Sequence, residues 1–140
     1  MNISRRPARL EDLEWLDPFY EGLMRPYVEI THRWDTNKFR ENFDPERVSI
    51  IQVDDQEIGM LRIDVNADHI YLGDLQIASE YQRKGIGSVL LKEVIQSALE
   101  RHLPIRLRVL KGNPAISLYE RYGFIIWEEF DNSYVLEYSV

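Results

Sequence analysis

The residues best placed to do chemistry lie in one continuous stretch, Leu75-Gln76-Ile77-Ala78-Ser79-Glu80-Tyr81-Gln82-Arg83-Lys84-Gly85-Ile86-Gly87-Ser88. An apolar, strand-like run passes into a glycine-spaced loop, and the loop opens directly into a long amphipathic helix. Unpaired backbone N–H groups and the positive end of the helix dipole converge at such a junction, which suits it to an anion. Gly85 and Gly87 let the main chain approach a phosphate with no side chain in the way, and Arg83 and Lys84 add positive charge. A dinucleotide fingerprint would need a third glycine where this chain has Leu90, and a phosphate loop of the Walker type needs Gly-Lys-Ser/Thr, which is absent. Taken alone, the pattern also fits a glycine-softened turn that merely starts a helix.

The elements around this stretch follow from hydrophobic period and punctuation. A strand is predicted at Ile3 to Arg6, then a helix from Leu10 to Met24 weakened by Pro18, a connection from Pro26 to His32, and a helix from Trp34 to Phe43 with Asp35 or Thr36 as N-cap. The period then changes to two, giving strands Val48 to Val53, Glu57 to Val65 and His69 to Ala78, the first two joined by the turn Asp54-Asp55-Gln56. Gly85 to Arg101 reads as a helix with Ile86, Leu90, Val94 and Ala98 on one stripe and Leu91, Ile95 and Leu99 beside it. A strand from Ile105 to Leu110 follows, parallel to the one ending at Ala78 because a helical crossover joins them. A helix from Pro114 to Tyr122, capped by Asn113 and ended by Gly123, leads to a closing hairpin of Phe124 to Phe130 and Ser133 to Tyr138. The order is βααβββαβαββ in a single domain spanning residues 1–140, with no repeat, low-complexity tract or linker.

A second block, Asn113-Pro114-Ala115-Ile116-Ser117-Leu118-Tyr119-Glu120-Arg121-Tyr122-Gly123-Phe124, supplies the context that the loop alone lacks. Gln82, Gly85 and Gly87 resemble the Gln/Arg-x-x-Gly-x-Gly/Ala signature of the GNAT acetyltransferases, and the second block resembles that family's downstream Asn, Ala, Leu-Tyr-Glu and Gly-Phe segment. Asn113 stands six residues before Tyr119, where many members of the family have seven. The resemblance extends over nearly the whole chain, including Arg5-Arg6-Pro7-Ala8 followed by Glu11-Asp12. It implies an α/β fold: a mixed, mostly antiparallel seven-stranded sheet, splayed where strands four and five run parallel, with helices on both faces.

The same resemblance implies acetyl-CoA as cosubstrate and an amine, on a small molecule or a peptide, as acceptor. The pyrophosphate is expected on Arg83, Lys84, Gly85, Ile86, Gly87 and Ser88, with Gln82 and Asn113 contributing, and the main chain of Leu75, Gln76 and Ile77 is expected to hydrogen-bond the pantetheine arm. One of those N–H groups would stabilise charge developing on the thioester oxygen. Tyr119 is the expected general acid; from the helical pattern alone, its ring would equally serve as core. For the general base, family members that carry a glutamate before the second block correspond here to Arg108, which holds its proton. Asp74 and Glu29 are the remaining candidates, beside a water chain, and each also fits a solvated surface carboxylate. Met24 to Asp35, with aromatics and both charge signs, is the expected acceptor wall, with His32 as a surface residue; Tyr27 and Trp34 fit helix anchors equally well.

Composition narrows the alternatives. In 140 residues, 44% hydrophobic and 29% charged, there is material for one soluble globular core. A net charge of -7 argues against nonspecific nucleic-acid binding and suits a cationic or neutral amine. The absence of cysteine removes a thiol nucleophile and a thiolate metal site, and His32, His69 and His102 have no ligand spacing, so no metal is expected. No apolar run resembles a signal peptide or a membrane span, and a cytoplasmic protein is expected. The resemblance allows a homodimer through the late strands. Rival readings are a noncatalytic acyl-CoA-binding module, against which Tyr119 counts, and an interaction domain with a dead cofactor site, against which Gly85 and Gly87 count.

Overall fold

The computed structural model describes residues 1–140. Its strands are β1 (Ile3–Pro7), β2 (Val48–Val53), β3 (Gln56–Val65), β4 (Ile70–Ile77), β5 (Ile105–Leu110), β6 (Ile125–Glu129) and β7 (Ser133–Tyr138); its helices are α1 (Leu13–Val28), α2 (Lys38–Asn42), α3 (Ile86–Arg101) and α4 (Ile116–Arg121). The strands form one seven-stranded mixed sheet in the order β1-β2-β3-β4-β5-β7-β6, which bears out the predicted α/β class and element order. The chain divides into two compact units, Met1–Arg62 with Asp74–Tyr81, and Ile63–Gly73 with Gln82–Val140.

In the first unit, β1 and β3 flank β2 in antiparallel register, from Ile3 opposite Val53 and from Val48 opposite Arg62. Asp54 and Asp55 turn the β2–β3 hairpin with φ of 49° and 67°, both left-handed, as a two-residue hairpin turn requires. Alternation along β2 buries Val48 and Ile50, which join Ala8, Leu16 and Met60 in a core covered by Trp15, Phe19, Tyr20, Phe39 and Phe43. Tyr20 stacks on Phe39 at 4.4 Å between centroids and meets Trp34 at 6.1 Å.

Two helix boundaries in this unit differ from the sequence expectation. The first α-helix begins only at Leu13, after a short 3₁₀ turn at Leu10–Asp12, and runs on through Pro26 to Val28 instead of ending at Met24. Pro26 gives up its hydrogen bond to the Gly22 carbonyl, but Gly22 is exposed, so solvent can satisfy that group. The last turn is closed by Glu29 N–H donating to Arg25 C=O at 2.9 Å and by Arg25 bridging Glu21 and Glu29. The second helix is only Lys38–Asn42, because Asp35 accepts from Asn37 N–H at 3.0 Å and holds the preceding residues in a turn.

In the second unit, the start of β4 pairs parallel with β5, Ile70 with Ile105 and Tyr71 with Arg106, as the helical crossover demands. β7 then lies between β5 and β6, antiparallel to both. α3 buries Ile86, Leu90, Leu91, Val94 and Ala98, whereas Leu99, placed by periodicity beside the apolar stripe, is 44% exposed. The helix of the second block starts at Ile116 rather than Pro114, because Asn113 Oδ1 accepts from Ala115 N–H at 2.9 Å and folds the intervening residues into a turn. The outermost strand, β6, is exposed at every residue, with Arg106 lying over the Trp127 ring at 4.5 Å.

Candidate active site

The glycine-spaced loop and the helix start that follows it lie in the second unit. Gln82, Arg83, Lys84 and Gly85 are exposed, and Ile86 anchors the start of α3 in the core. Gly85 is the N-cap, with φ of 84°, a left-handed conformation that side chains rarely adopt. Nothing lies within 4 Å of where a Cβ on Gly85 would stand, so the space in front of the helix is open. Arg83 also takes a left-handed φ of 61°, which costs a non-glycine residue about 1–2 kcal/mol. Val89 N–H closes the first helical bond to Gly85 C=O at 3.1 Å, so the N–H groups of Ile86, Gly87 and Ser88 have no partner within the helix. The N-cap side chain supplies none, and no acidic residue occupies the first turn. These features fit a diphosphate: an open approach, a run of main-chain donors, and cationic side chains beside them.

Asn113 precedes α4 and Tyr119 lies within it, in the same unit. The Asn113 carbonyl end is committed to the turn before α4. Tyr119 is 7% exposed, and its ring meets Phe124 edge-on at 5.6 Å, while Phe124 in turn packs on Tyr138 at 5.5 Å. The tyrosine is therefore a core side chain whatever else it does. Arg108, at the position where a glutamate base was sought, donates to Ser133 Oγ at 2.7 Å and lies over Phe130.

Asp74, Leu75, Gln76 and Ile77 share the end of β4 in the first unit, all half-buried. Gln76 Nε2 donates to Asp74 Oδ1 and to Met24 Sδ, each at 3.4 Å, tying this strand to α1. Glu29, the other base candidate, is exposed and paired with Arg25, whose guanidinium holds its carboxyl below the ordinary range. A carboxylate stabilised in this way is a weaker proton acceptor. Along α1, Pro18, Glu21, Gly22, Arg25, Pro26 and Glu29 line an open groove of about 420 Å³, which overlaps the predicted acceptor wall. His32 is exposed, with Nδ1 beside Thr31 Oγ1 at 2.8 Å. No group of three or more His, Asp or Glu side chains is placed to hold a metal ion, and no helix is long and apolar enough to cross a membrane.

Two features of the first unit escaped the sequence. Asp12, 5% exposed, accepts from Arg6 through both carboxylate oxygens at 2.8 and 2.9 Å, from Arg9 N–H at 2.7 Å and from Trp15 Nε1 at 3.1 Å. Arg6, which also donates to Glu57, pulls the Asp12 carboxyl well below the usual carboxylate range against the opposing effect of burial. Opposite charges on either side of Pro7 and Ala8 were the available signal. The second is Gly59, in the interior of β3, where a glycine inside a strand pattern marks a close approach of backbone.

Comparison with known proteins places the geometry in context. The model of a family described as acetyltransferase (GNAT) family matches residues 8–124. The fold is shared with the PaiA N-acetyltransferase from Thermoplasma acidophilum in complex with coenzyme A (TM-score 0.80, 21% identity, 100% of both chains). It is shared also with Naa50 from Arabidopsis thaliana in complex with the bisubstrate analogue CoA-Ac-MVNAL (TM-score 0.74, 22% identity, 100% of both chains). Among curated relatives, cysteine-rich protein 2-binding protein of Mus musculus is 29% identical over 83 residues, a match covering 56% of this chain and 10% of that protein's length.

Proposed function

We propose, since this chain belongs to the acetyltransferase (GNAT) family, that it transfers an acetyl group from acetyl-CoA to a primary amine by direct attack within a ternary complex. The observation that carries this is the start of α3: an open left-handed Gly85, uncapped first-turn N–H groups, and no carboxylate there to repel a diphosphate. Gln82, Arg83, Lys84, Gly85, Ile86, Gly87 and Ser88 would hold the pyrophosphate, with Asn113 beside them. The main chain of Leu75, Gln76 and Ile77 would hold the pantetheine arm.

In the reaction, the neutral amine nitrogen attacks the thioester carbonyl carbon. The new C–N bond forms as charge collects on the carbonyl oxygen, where a main-chain N–H of β4 stabilises it. Collapse breaks the C–S bond, and the electron pair leaves on sulfur. The departing thiolate takes the proton of Tyr119 as the C–S bond breaks, since a phenol of reference pKa about 10 is still protonated at neutral pH and can donate it. The surplus proton on nitrogen leaves through Asp74 or water, and Tyr119 is reprotonated from solvent. The groove along α1 carries Glu21 and Glu29 bridged by Arg25, one negative charge in excess, and with the net charge of -7 this suits a cationic acceptor. The peptide carried by the Naa50 analogue supports including free peptide N-termini among acceptors. We read residues 1–140 as one transferase domain acting in the cytoplasm.

The burial of Tyr119 against Phe124 favours a second reading, an acyl-CoA-binding module in which that tyrosine is only core. CoA release, measured with acetyl-CoA and a panel of spermidine, lysine, glutamate and the peptide Met-Val-Asn-Ala-Leu, separates the two. The enzyme reading expects turnover with at least one amine, and Tyr119→Phe then lowers kcat about 100-fold with acetyl-CoA affinity within about threefold. Unaltered kcat removes Tyr119 from the reaction, and binding without any turnover selects the module.

A further inference from the structure

Arg106 and Arg108 stand two residues apart on β5 and so share one face of the strand, opposite to the buried Ile105, Leu107 and Val109. Antiparallel register carries that face across β7 and β6: Arg106 lies opposite Glu137, itself opposite Ile125, and Arg108 lies opposite Val135, itself opposite Glu128. The β6–β7 register shifts between Ile126 and Glu128, which makes Trp127 the extra residue of a bulge. Both guanidinium groups lie over a ring, Arg106 over Trp127 and Arg108 over Phe130, each at 4.5 Å from the centroid. Their charges are met differently. Arg106 Nε donates to the Glu137 carboxylate at 2.9 Å, an ion pair with the residue directly across the ladder. Arg108 has valine at the corresponding place, and its bond is to the neutral hydroxyl of the buried Ser133, from Nη1 at 2.7 Å. Glu128, in the same row two strands away, has its backbone about 10 Å off and forms no ion pair with Arg108.

A guanidinium held by a ring and a hydroxyl has already lost rotamer freedom, yet its charge has no counter-ion in the protein. The ring takes one face and the hydroxyl one N–H, which leaves the other donors of an exposed residue to solvent. Beside it lies an uncovered apolar shelf, with Phe130 39% and Trp127 52% exposed. We propose that this face of β5, β7 and β6 is a binding site for a monocarboxylate with an apolar body: the Arg108 fork takes the carboxylate, and Val135 and the rings of Phe130 and Trp127 take the apolar part. The planar fork matches a carboxylate through two parallel N–H···O bonds, and stacking on Phe130 holds it ready to make them. Such pre-organisation lowers the ordering cost of binding. The same surroundings select against a dianion: Glu128 in the row and the exposed Asp131 just beyond Phe130 repel a second negative charge.

The test is made at equilibrium and needs no turnover, so its outcome is independent of the acetyl-transfer reading. The probe is 4-phenylbutyrate, ionised at neutral pH, titrated into ¹⁵N-labelled protein, with 4-phenylbutyramide as its uncharged counterpart and phenyl phosphate as a dianion. The carboxylate should shift the main-chain resonances of Arg108, Val135 and Phe130 saturably. The carboxamide should bind about 10-fold more weakly, the scale of one charged hydrogen-bonded contact, and phenyl phosphate no more tightly than the carboxylate. Arg108→Gln should weaken the carboxylate about 10-fold and leave the carboxamide within about twofold; Arg108→Lys, which keeps the charge without the fork, should fall between. Equal binding of carboxylate and carboxamide, or unchanged affinity in Arg108→Gln, would mark an apolar patch only and overturns the proposal. Tighter binding of phenyl phosphate overturns the ligand class and the proposal with it, and so does a carboxylate titration that leaves these resonances in place. If Arg108→Gln does not fold, the ligand series on wild-type protein and Arg108→Lys still decide.

Discussion

At the approach to α1, the polar groups are saturated: Asp12 takes both prongs of Arg6, the Arg9 amide and the Trp15 indole, and is nearly out of reach of water. At the approach to α3, the opposite holds: the N-cap is a glycine, no side chain caps the first turn, and the neighbouring cations are exposed. Both precede sixteen-residue helices, and neither N-cap side chain bonds a first-turn N–H group; the difference lies in the polar side chains gathered before α1 and in the 3₁₀ turn whose carbonyls take the Leu13 N–H. The first spends side chains to fix where the chain goes; the second withholds them, which keeps backbone donors available to a ligand. Under the proposed function, stability and binding rest on different helix starts, and perturbing each should move one property without the other.

The largest effect is expected at the saturated start. Asp12→Ala leaves Arg6, the Arg9 amide and the Trp15 indole short of a partner, and should cost about 3–5 kcal/mol in urea unfolding, with acetyl-CoA affinity of the remaining folded protein unchanged. A loss under about 1 kcal/mol, small beside the usual cost of breaking a buried pair, would break the contrast. Next comes Ser88→Glu in the first turn of α3. A carboxylate there favours the helix dipole and should raise stability by ~0.3–1 kcal/mol, yet it opposes a diphosphate and should weaken acetyl-CoA binding about 30-fold. Calorimetry and thermal melts in parallel would reveal whether the two properties move in opposite directions; equal binding by the variant would remove this loop from the cofactor site. The smallest effect is a slope. Because the Asp12 carboxyl lies below its unfolded value, its contribution is complete above the unfolded pKa of about 3.9 and fades as pH falls below it. Unfolding free energy should accordingly drop more steeply below pH ~4 in wild type than in Asp12→Asn, and parallel curves would show that the pair adds nothing.

Three strands were legible to the residue: β2, β5 and β7 have the bounds read from the sequence. The helix after the glycine-spaced loop was legible to within one residue, read from Gly85 and found from Ile86, because glycine spacing and a long apolar stripe are both local signals. Helix ends were less so. Local turns made by Asp35 and Asn113 set the starts of α2 and α4, and at α1 the Glu21–Arg25–Glu29 ladder carried the helix past a proline that would ordinarily mark its end. Leu99 follows the helical period yet faces solvent, since periodicity does not say how wide the buried stripe is. Tyr119 was visible as a residue of interest, but its enclosure beside Phe124 is a tertiary fact. Gly59 was readable only as a glycine inside a strand; that a carbonyl from another strand stands where its side chain would be is again a tertiary fact.

The tryptophans give this architecture an optical label. Trp15 donates its indole N–H to the Asp12 carboxylate in the first unit, and Trp127 lies under the Arg106 guanidinium on the outermost strand of the second. With Trp34 replaced by phenylalanine, the emission of each remaining indole follows the melting of its own unit, so fluorescence of single-tryptophan variants can tell concerted unfolding from stepwise loss.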